Sequence, residues 1–208
     1  INFLQIIFLP FKKITNKLGF SENLILLKTL SLKKITNAAR VYFSFKRSFR
    51  KKLPFHSGMP ISISVEPTTS CNLRCPECPS GLRSFTRDIG MLQESFFKKT
   101  LDQISDELIY LTFYFQGEPY LNPKFLEMVK YAANKKIFTS TSTNAHYLND
   151  ENAKKTVESG LHRMIISIDG ASQDSYEKYR VGGQLSKVIE GTKKIVEWRK
   201  KLKSRTPY

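Results

Sequence analysis

Downstream of residue 60 the sequence changes its hydrophobic period in the same way four times, from a short β-branched or apolar run to a stretch with helical spacing. Ile61–Glu66 (ISISVE) reads as a strand, and Leu92, Phe96, Phe97, Leu101 and Ile104 then share one helical face. Leu108–Phe115 (LIYLTFYF) is a continuous apolar run, the pattern of a strand buried on both faces. Asn122-Pro123 predicts the start of the next helix, with Asn122 as cap, Pro123 in the first turn and Phe125, Leu126 and Val129 on its apolar side. Ile137–Thr143 reads as a third strand. Asn149 or Asp150 caps a helix that runs to Ser159 and is ended by Gly160. Arg163–Ile168 (RMIISI) reads as the fourth strand, and 185–202 as a long amphipathic helix carrying Val188, Ile189, Ile195, Val196 and Trp198. Strands alternating with helices require a parallel sheet with right-handed crossovers. An open doubly wound sheet and an arc of a barrel both fit, and in both the ligand sits at the carboxyl ends of the strands.

The rest of the chain has a different character. Its 208 residues suit one domain with an extension, or part of a larger protein. The net charge of +16 is concentrated at the ends. Residues 1–53 hold 12 Lys/Arg against one acid, and residues 193–208 hold 7 against one. The body between them has 15 Lys/Arg and 16 acids, so it is almost neutral. Breakers at Leu53-Pro54 and Gly58-Met59-Pro60 divide the chain into a basic, helical extension (1–57) and a core domain (58–208). In the extension, 28–52 interleaves basic residues with Val41, Tyr42, Phe43, Phe45 and Phe49. That stretch suits a helix covering the domain, one docked on a partner, or one lying on a membrane surface. No nucleic-acid motif accompanies the charge, so nucleic acid is not expected as a partner. Ile1–Phe11 is apolar but contains Asn2, Gln5 and Pro10 and falls short of the ~20 residues of a membrane span. Its lysines come after rather than before it, so no secretory signal is expected. The chain opens on Ile1 rather than Met, so its true N-terminus is expected to lie upstream.

Since ligands gather at strand ends, the residues immediately after each strand are informative. The loop after the first contains Cys71-Asn72-Leu73-Arg74-Cys75-Pro76-Glu77-Cys78, which holds every cysteine of the chain. Three is too few for a disulfide scaffold. A structural zinc takes four protein ligands, and no fourth cysteine exists. An iron–sulfur cubane on three thiolates leaves one iron open to a non-protein ligand, which makes that position reactive.

At this spacing and after the first strand of a βα series, Cys71, Cys75 and Cys78 resemble the radical S-adenosylmethionine (radical SAM) enzymes, and the local sequence looks like their SPASM-type branch. Glu77 departs from the aromatic residue many members place before the third cysteine. The resemblance covers about residues 60 to 208. It implies a partial (βα)6 TIM-like barrel, of which about four βα units are present, with a [4Fe–4S] cluster on the three cysteines. Gln116-Gly117-Glu118-Pro119 comes after strand two and is similar to a Gly-Gly-Glu turn that binds the methionine amino group of SAM, with Gln116 in place of the first glycine. Ser142 and Asn144 end strand three, where Ala145 replaces a glycine usual in the family. Ser167 and Asp169 end strand four on one face and correspond to ribose-binding positions. Arg180 is placed like an arginine that pairs with the methionine carboxylate, a chemically apt match; a surface ion pair with Glu177 is its plain alternative.

The activity implied is reductive cleavage of SAM to a 5′-deoxyadenosyl radical that abstracts hydrogen from a substrate, which for the SPASM-type branch is a peptide, a protein or a small metabolite. No catalytic side chain beyond the cluster is assignable. Flavodoxin or ferredoxin is implied as electron donor, in a reducing cytoplasm, with the basic arm at a membrane surface or a partner. A non-catalytic iron–sulfur electron carrier and a zinc-stabilised binding module are the competing readings. His56, His146 and His162 have no metal-site spacing and are expected at the surface or in packing. An arc of four units leaves a sheet edge open, so the 208-residue piece alone is expected to be inactive or poorly soluble.

Overall fold

The computed structural model describes residues 20–208, so predictions for residues 1–19 lie outside the described residues. Two helices come first, α1 (Phe20–Lys28) and α2 (Leu32–Lys51). Next come β1 (Ser62–Ser64), a short α3 (Pro79–Leu82), α4 (Glu94–Ile104), β2 (Tyr110–Thr112), α5 (Phe125–Asn134), β3 (Phe138–Thr143), α6 (Asp150–Glu158), β4 (Arg163–Ile166), α7 (Gln173–Tyr179) and α8 (Leu185–Lys201).

The four strands are all parallel and lie in the order β1-β2-β3-β4. That order decides between the two architectures. Successive right-handed crossovers that always step the same way put every helix on one face, which curls the sheet into a barrel arc; a doubly wound sheet must reverse direction. The ladder continues beyond β4. Tyr208 N–H donates to His162 O (2.9 Å) and Tyr208 O accepts from Met164 N–H (2.7 Å), the pattern of parallel pairing.

Register assigns the two faces. Ile63, Leu111 and Phe113 point to the helices and meet Phe97 and Leu101 of α4 and Phe125, Met128 and Val129 of α5 in the main core. The opposite, inward face carries the hydroxyls of Ser64, Thr112, Ser140 and Ser142, with Tyr110, Phe138 and Ile165 on the same side. LIYLTFYF therefore does not mark a strand with two equally apolar faces. Leu111 and Phe113 are buried against helices, whereas Tyr110, Thr112 and Tyr114 line a half-open interior.

The second helix unit also begins later than its sequence suggests. Lys124 is its N-cap and α5 starts at Phe125. Asn122 is spent on tertiary structure instead. Its buried amide donates to Pro67 O (2.8 Å) and Leu92 O (3.0 Å), while Oδ1 accepts from Lys124 N–H. Asn149 does cap α6, accepting from Asn152 N–H at 2.8 Å, and Gly160 comes after it at φ +74°. In α8, Val188 and Ile195 are buried but Ile189 and Val196 are exposed. Trp198 packs at the margin of the core and donates to Asp150 (2.9 Å). The short α7 has no counterpart in the periodicity; its capping box, Ser172 with Ser175, is the signal that marks it.

The described part of the basic extension closes the barrel's N-terminal end. Leu26 of α1 and Ala38 of α2 pack with Ile109 and Phe138, both at strand starts. Lys34 is buried there, donating to Thr29 O (3.2 Å) and Lys136 O, and burial pushes its pKa down to about 8. Lys33 pairs with Asp106 at 2.6 Å. Among the described residues no helix is long and apolar enough to cross a membrane.

His162 is a packing histidine. It stacks on Phe138 (4.9 Å between ring centroids) and its Nδ1 accepts from Thr139 N–H at 3.1 Å. Burial pushes its pKa down from 6.5 to about 4, so the fold holds the neutral ring. As pH falls through 6.5 toward 4, the unfolded chain takes up a proton that the folded chain refuses. Folding stability should fall by up to about 3 kcal/mol over that window. Denaturant titrations from pH 7.5 to 4 should show this loss, and His162→Gln should remove it; parallel pH profiles for the two proteins would refute the assignment.

Candidate cofactor site at the strand ends

The loop after β1 is fixed at both ends before it presents any sulfur. Thr68 pairs with Met91 in an isolated antiparallel bridge, and Leu92 N–H donates to Pro67 O at 2.9 Å. Leu73 is buried in the middle, and Cys78 N–H closes a turn onto Cys75 O (3.3 Å). Helix α3 then presses onto this turn. A side chain at Gly81 would collide with the Cys75 backbone, so the absence of a Cβ is required there.

All three cysteines are free thiols and border one cavity of about 200 Å³. Gln116, Gly117, Glu118, Ser142, Asn144, Ser167 and Arg180 border the same cavity. Two predicted residues do not. Pro119 is buried as the first residue of a single 3-10 turn, and Asp169 is reached only through Arg180.

Each sulfur has one polar neighbour from outside its loop. Asn144 Nδ2 lies 3.8 Å from Cys71 Sγ, Arg180 Nη1 lies 3.7 Å from Cys75 Sγ, and Gln116 Oε1 lies 3.3 Å from Cys78 Sγ. Burial pushes the Cys71 and Cys75 thiols up, and the Arg180 charge partly offsets this at Cys75. Among the described residues no three His, Cys, Asp or Glu side chains are gathered tightly enough to hold a single metal ion. The thiols instead ring a space, an arrangement suited to a group several atoms across, and the donor set fits an iron–sulfur cluster better than a lone zinc.

The turn after β2 is held against the cysteine loop. Gly117 has φ +79°, and a methyl group there would strike the Thr68 carbonyl. Its N–H donates to Ser80 Oγ (2.9 Å), and Glu118 N–H donates to Ser70 O (2.8 Å). The Glu118 side chain turns away from the loop. It is 2% exposed, with Oε1 accepting from Thr143 Oγ1 (2.7 Å) and Tyr120 N–H (3.3 Å), and Oε2 from Asn144 N–H (2.8 Å). Burial pushes its pKa up to about 7 against the pull of those donors. Glu118 therefore binds the turn to the end of β3, rather than standing open to a ligand.

Past β3, Ala145 adopts φ +63°, the conformation for which a glycine is usual. Asn144 Nδ2 donates to Asn72 Oδ1 at 2.8 Å. His146 Nε2 accepts from Gln184 N–H (2.8 Å), which leaves Nδ1–H to donate to Asn144 O (3.0 Å). Asn72, Ser80 and His146 are supports that single-residue reasoning missed; their signal is pairing between loops, invisible along one chain.

Strand β4 ends at Ile166, so Ser167 and Asp169 lie in the loop beyond it. Ser167 Oγ is 3.5 Å from Ser142 Oγ. Arg180, at the C-cap of α7, pairs through Nε with Asp169 Oδ2 at 2.5 Å; Glu177 bonds to Gln173 instead, so the expected alternative ion pair is not formed. Arg74 N–H donates to Val181 O (3.0 Å), joining the arginine's loop to the cysteine loop.

The sequence profile of the Radical SAM superfamily matches residues 65–205. The chain belongs to the radical SAM superfamily. Its cofactors are accordingly SAM and an iron–sulfur cluster. The chain is 29% identical over 136 residues to the mycofactocin maturase MftC of Mycobacterium ulcerans, covering 65% of this chain and 36% of that protein. It is 27% identical over 116 residues to the PqqA peptide cyclase of Bradyrhizobium diazoefficiens, covering 56% and 30%. Streptococcus suis SuiB bound to S-adenosylmethionine superposes with a TM-score of 0.59 at 17% identity, covering 79% of this chain and 36% of that one. The chain thus spans about a third of the length of the curated relatives it matches.

Glu118→Gln keeps the size of the side chain but turns one acceptor into a donor facing Thr143 and Tyr120, or Asn144. It should cost about 1–3 kcal/mol in denaturant unfolding. Unchanged stability would show that the carboxylate does not hold the two strand ends together.

Proposed function

We propose that this chain carries the cofactor-binding half of a radical SAM enzyme core of SPASM type, with a peptide as the enzyme's substrate. In this reading 58–208 is core domain and 1–57 a basic extension. The observation that carries it is the shared cavity: three thiols and seven strand-end residues expected at SAM border one space. Cys71, Cys75 and Cys78 would hold a [4Fe–4S] cluster. When bound, the cluster and SAM supply a 5′-deoxyadenosyl radical by one-electron cleavage of the sulfonium, and this radical takes a hydrogen atom from the substrate.

The protein's own groups supply position and charge. Backbone carbonyls at Gln116 and Gly117 suit an ammonium. The Arg180 guanidinium suits a carboxylate, with Asp169 and Cys75 fixing its plane. The hydroxyls of Ser142 and Ser167 sit side by side on the inner face, where a ribose could use both. Asn144 acts through the cysteine loop, since its amide is engaged by Asn72 and Cys71. A flavodoxin or ferredoxin is the proposed electron source. A peptide substrate is supported by the PqqA peptide cyclase and by SuiB, which is also solved with its precursor peptide SuiA.

After anaerobic reconstitution the chain should hold iron and inorganic sulfide, show cluster absorbance and bind SAM in calorimetry. Serine at any of the three cysteines should abolish the cluster. Arg180→Lys should weaken SAM binding at least about tenfold while leaving the iron content intact. Zinc without sulfide, or SAM binding indifferent to Arg180, would overturn the reading.

The extension supports a further part of the proposal, an anionic membrane surface as its partner. Residues 34, 38, 41, 45 and 49 share one face of α2. Lys34 and Ala38 are buried on the barrel, but the same face runs on past it, leaving Phe45 62% and Phe49 77% exposed. No acid occurs between Glu22 and Glu66, whereas Lys46, Arg47, Arg50, Lys51 and Lys52 follow or flank the two phenylalanines in sequence. Basic charge beside exposed aromatics complements an anionic bilayer. The chain should sediment with phosphatidylglycerol vesicles and not with phosphatidylcholine ones. Replacing Phe45 and Phe49 by serine should weaken that binding more than about tenfold. Equal sedimentation with both lipids, or with neither, would rule the surface out.

A further inference from the structure

The hydrogen bonding of Gln116 is at odds with a loaded site, and the conflict points to a role. Gln116 Oε1 accepts from Cys78 Sγ (3.3 Å) and from Ser80 Oγ (3.2 Å). A cysteine that ligates iron is a thiolate and has no hydrogen to give. A carbonyl oxygen left against it would set two lone-pair groups in contact. A half turn of the amide exchanges Oε1 for Nε2 with almost no change of shape. Nε2 carries two hydrogens, and two acceptors are then in reach, the Cys78 sulfur and Ser80 Oγ. Ser80 Oγ takes Gly117 N–H at 2.9 Å and has a second lone pair for the amide. The other two sulfurs already face N–H donors, from Asn144 and Arg180.

We propose that Gln116 is a positioning residue for the cluster, its side-chain amide donating to the Cys78 sulfur and setting the reduction potential of the loaded site. This rests on the reading that the thiols hold a cluster. The physical reason is charge. Sulfur bears more negative charge in the reduced cluster, so an N–H donor stabilises that state and raises the potential. The glycine that stands here in the turn Gln116 resembles has no side chain to donate.

The test is an anaerobic potentiometric titration of the reconstituted full chain without SAM, followed by electron paramagnetic resonance of the reduced cluster. Gln116→Leu fills similar volume without a donor, and Gln116→Gly restores the residue usual in the family. Gln116→Glu puts a charge beside the sulfur. Leu and Gly should lower the potential so that the reduced fraction at a fixed low potential drops about tenfold, ~59 mV for a one-electron couple. Glu should lower it further. Potentials that coincide for wild type, Leu and Gly would overturn the assignment while leaving the cluster reading intact. A wild-type chain that takes up no iron and sulfide would overturn both.

Discussion

Glu118 leaves water almost completely, and three donors, two from the end of β3 and one from its own turn, converge on its oxygens. Isolated, a buried carboxylate would be costly; satisfied in this way, it becomes a fixed point. The turn that carries it is also stitched to the cysteine loop through Ser80 and Ser70. The end of β3 carries Asn144, which reaches back to Asn72. Three loops that are remote in sequence are thereby locked into one rim. The rim is what makes a cavity out of four strand ends.

The remaining architecture serves that rim. The helix-facing residues of β1 and β2, Ile63 and Leu111, pack in the main core, and the inward face carries hydroxyls at Ser64, Thr112, Ser140 and Ser142. The core therefore lies outside the arc, between sheet and helices, and the interior is left polar for ligands. Arg180 reaches the interior from a loop clamped by Gln173 and His146, which bond to Leu185 N–H and Gln184 N–H respectively. The guanidinium is thus aimed by α7 and α8 together, and its reach toward Cys75 depends on both.

Much of this was legible in the chain because period and strand-end chemistry are local. The βα alternation, the Cys-x3-Cys-x2-Cys loop and the order of polar strand ends needed only neighbours in sequence. What escaped reading was long-range. Asn122 looked like a helix cap because its neighbours suit one, yet its amide satisfies carbonyls 30 and 55 residues away. Glu118 looked like a ligand group because it stands in the turn after the second strand, yet its oxygens are taken up by the end of β3 and by Tyr120 N–H. Period alone left barrel arc and doubly wound sheet open, because no local period encodes strand order; the resemblance of the cysteine loop implied the barrel arc, and the order β1-β2-β3-β4 bears it out.

The two ends of the arc are held by separate sets of contacts. Leu26, Lys34 and Ala38 grip the strand starts, and none of them borders the cavity. Under natural selection such an arrangement is modular. The outer surface of the arm is free to drift, acquiring or losing affinity for whatever it touches, while the chemistry at the far end is inherited unaltered.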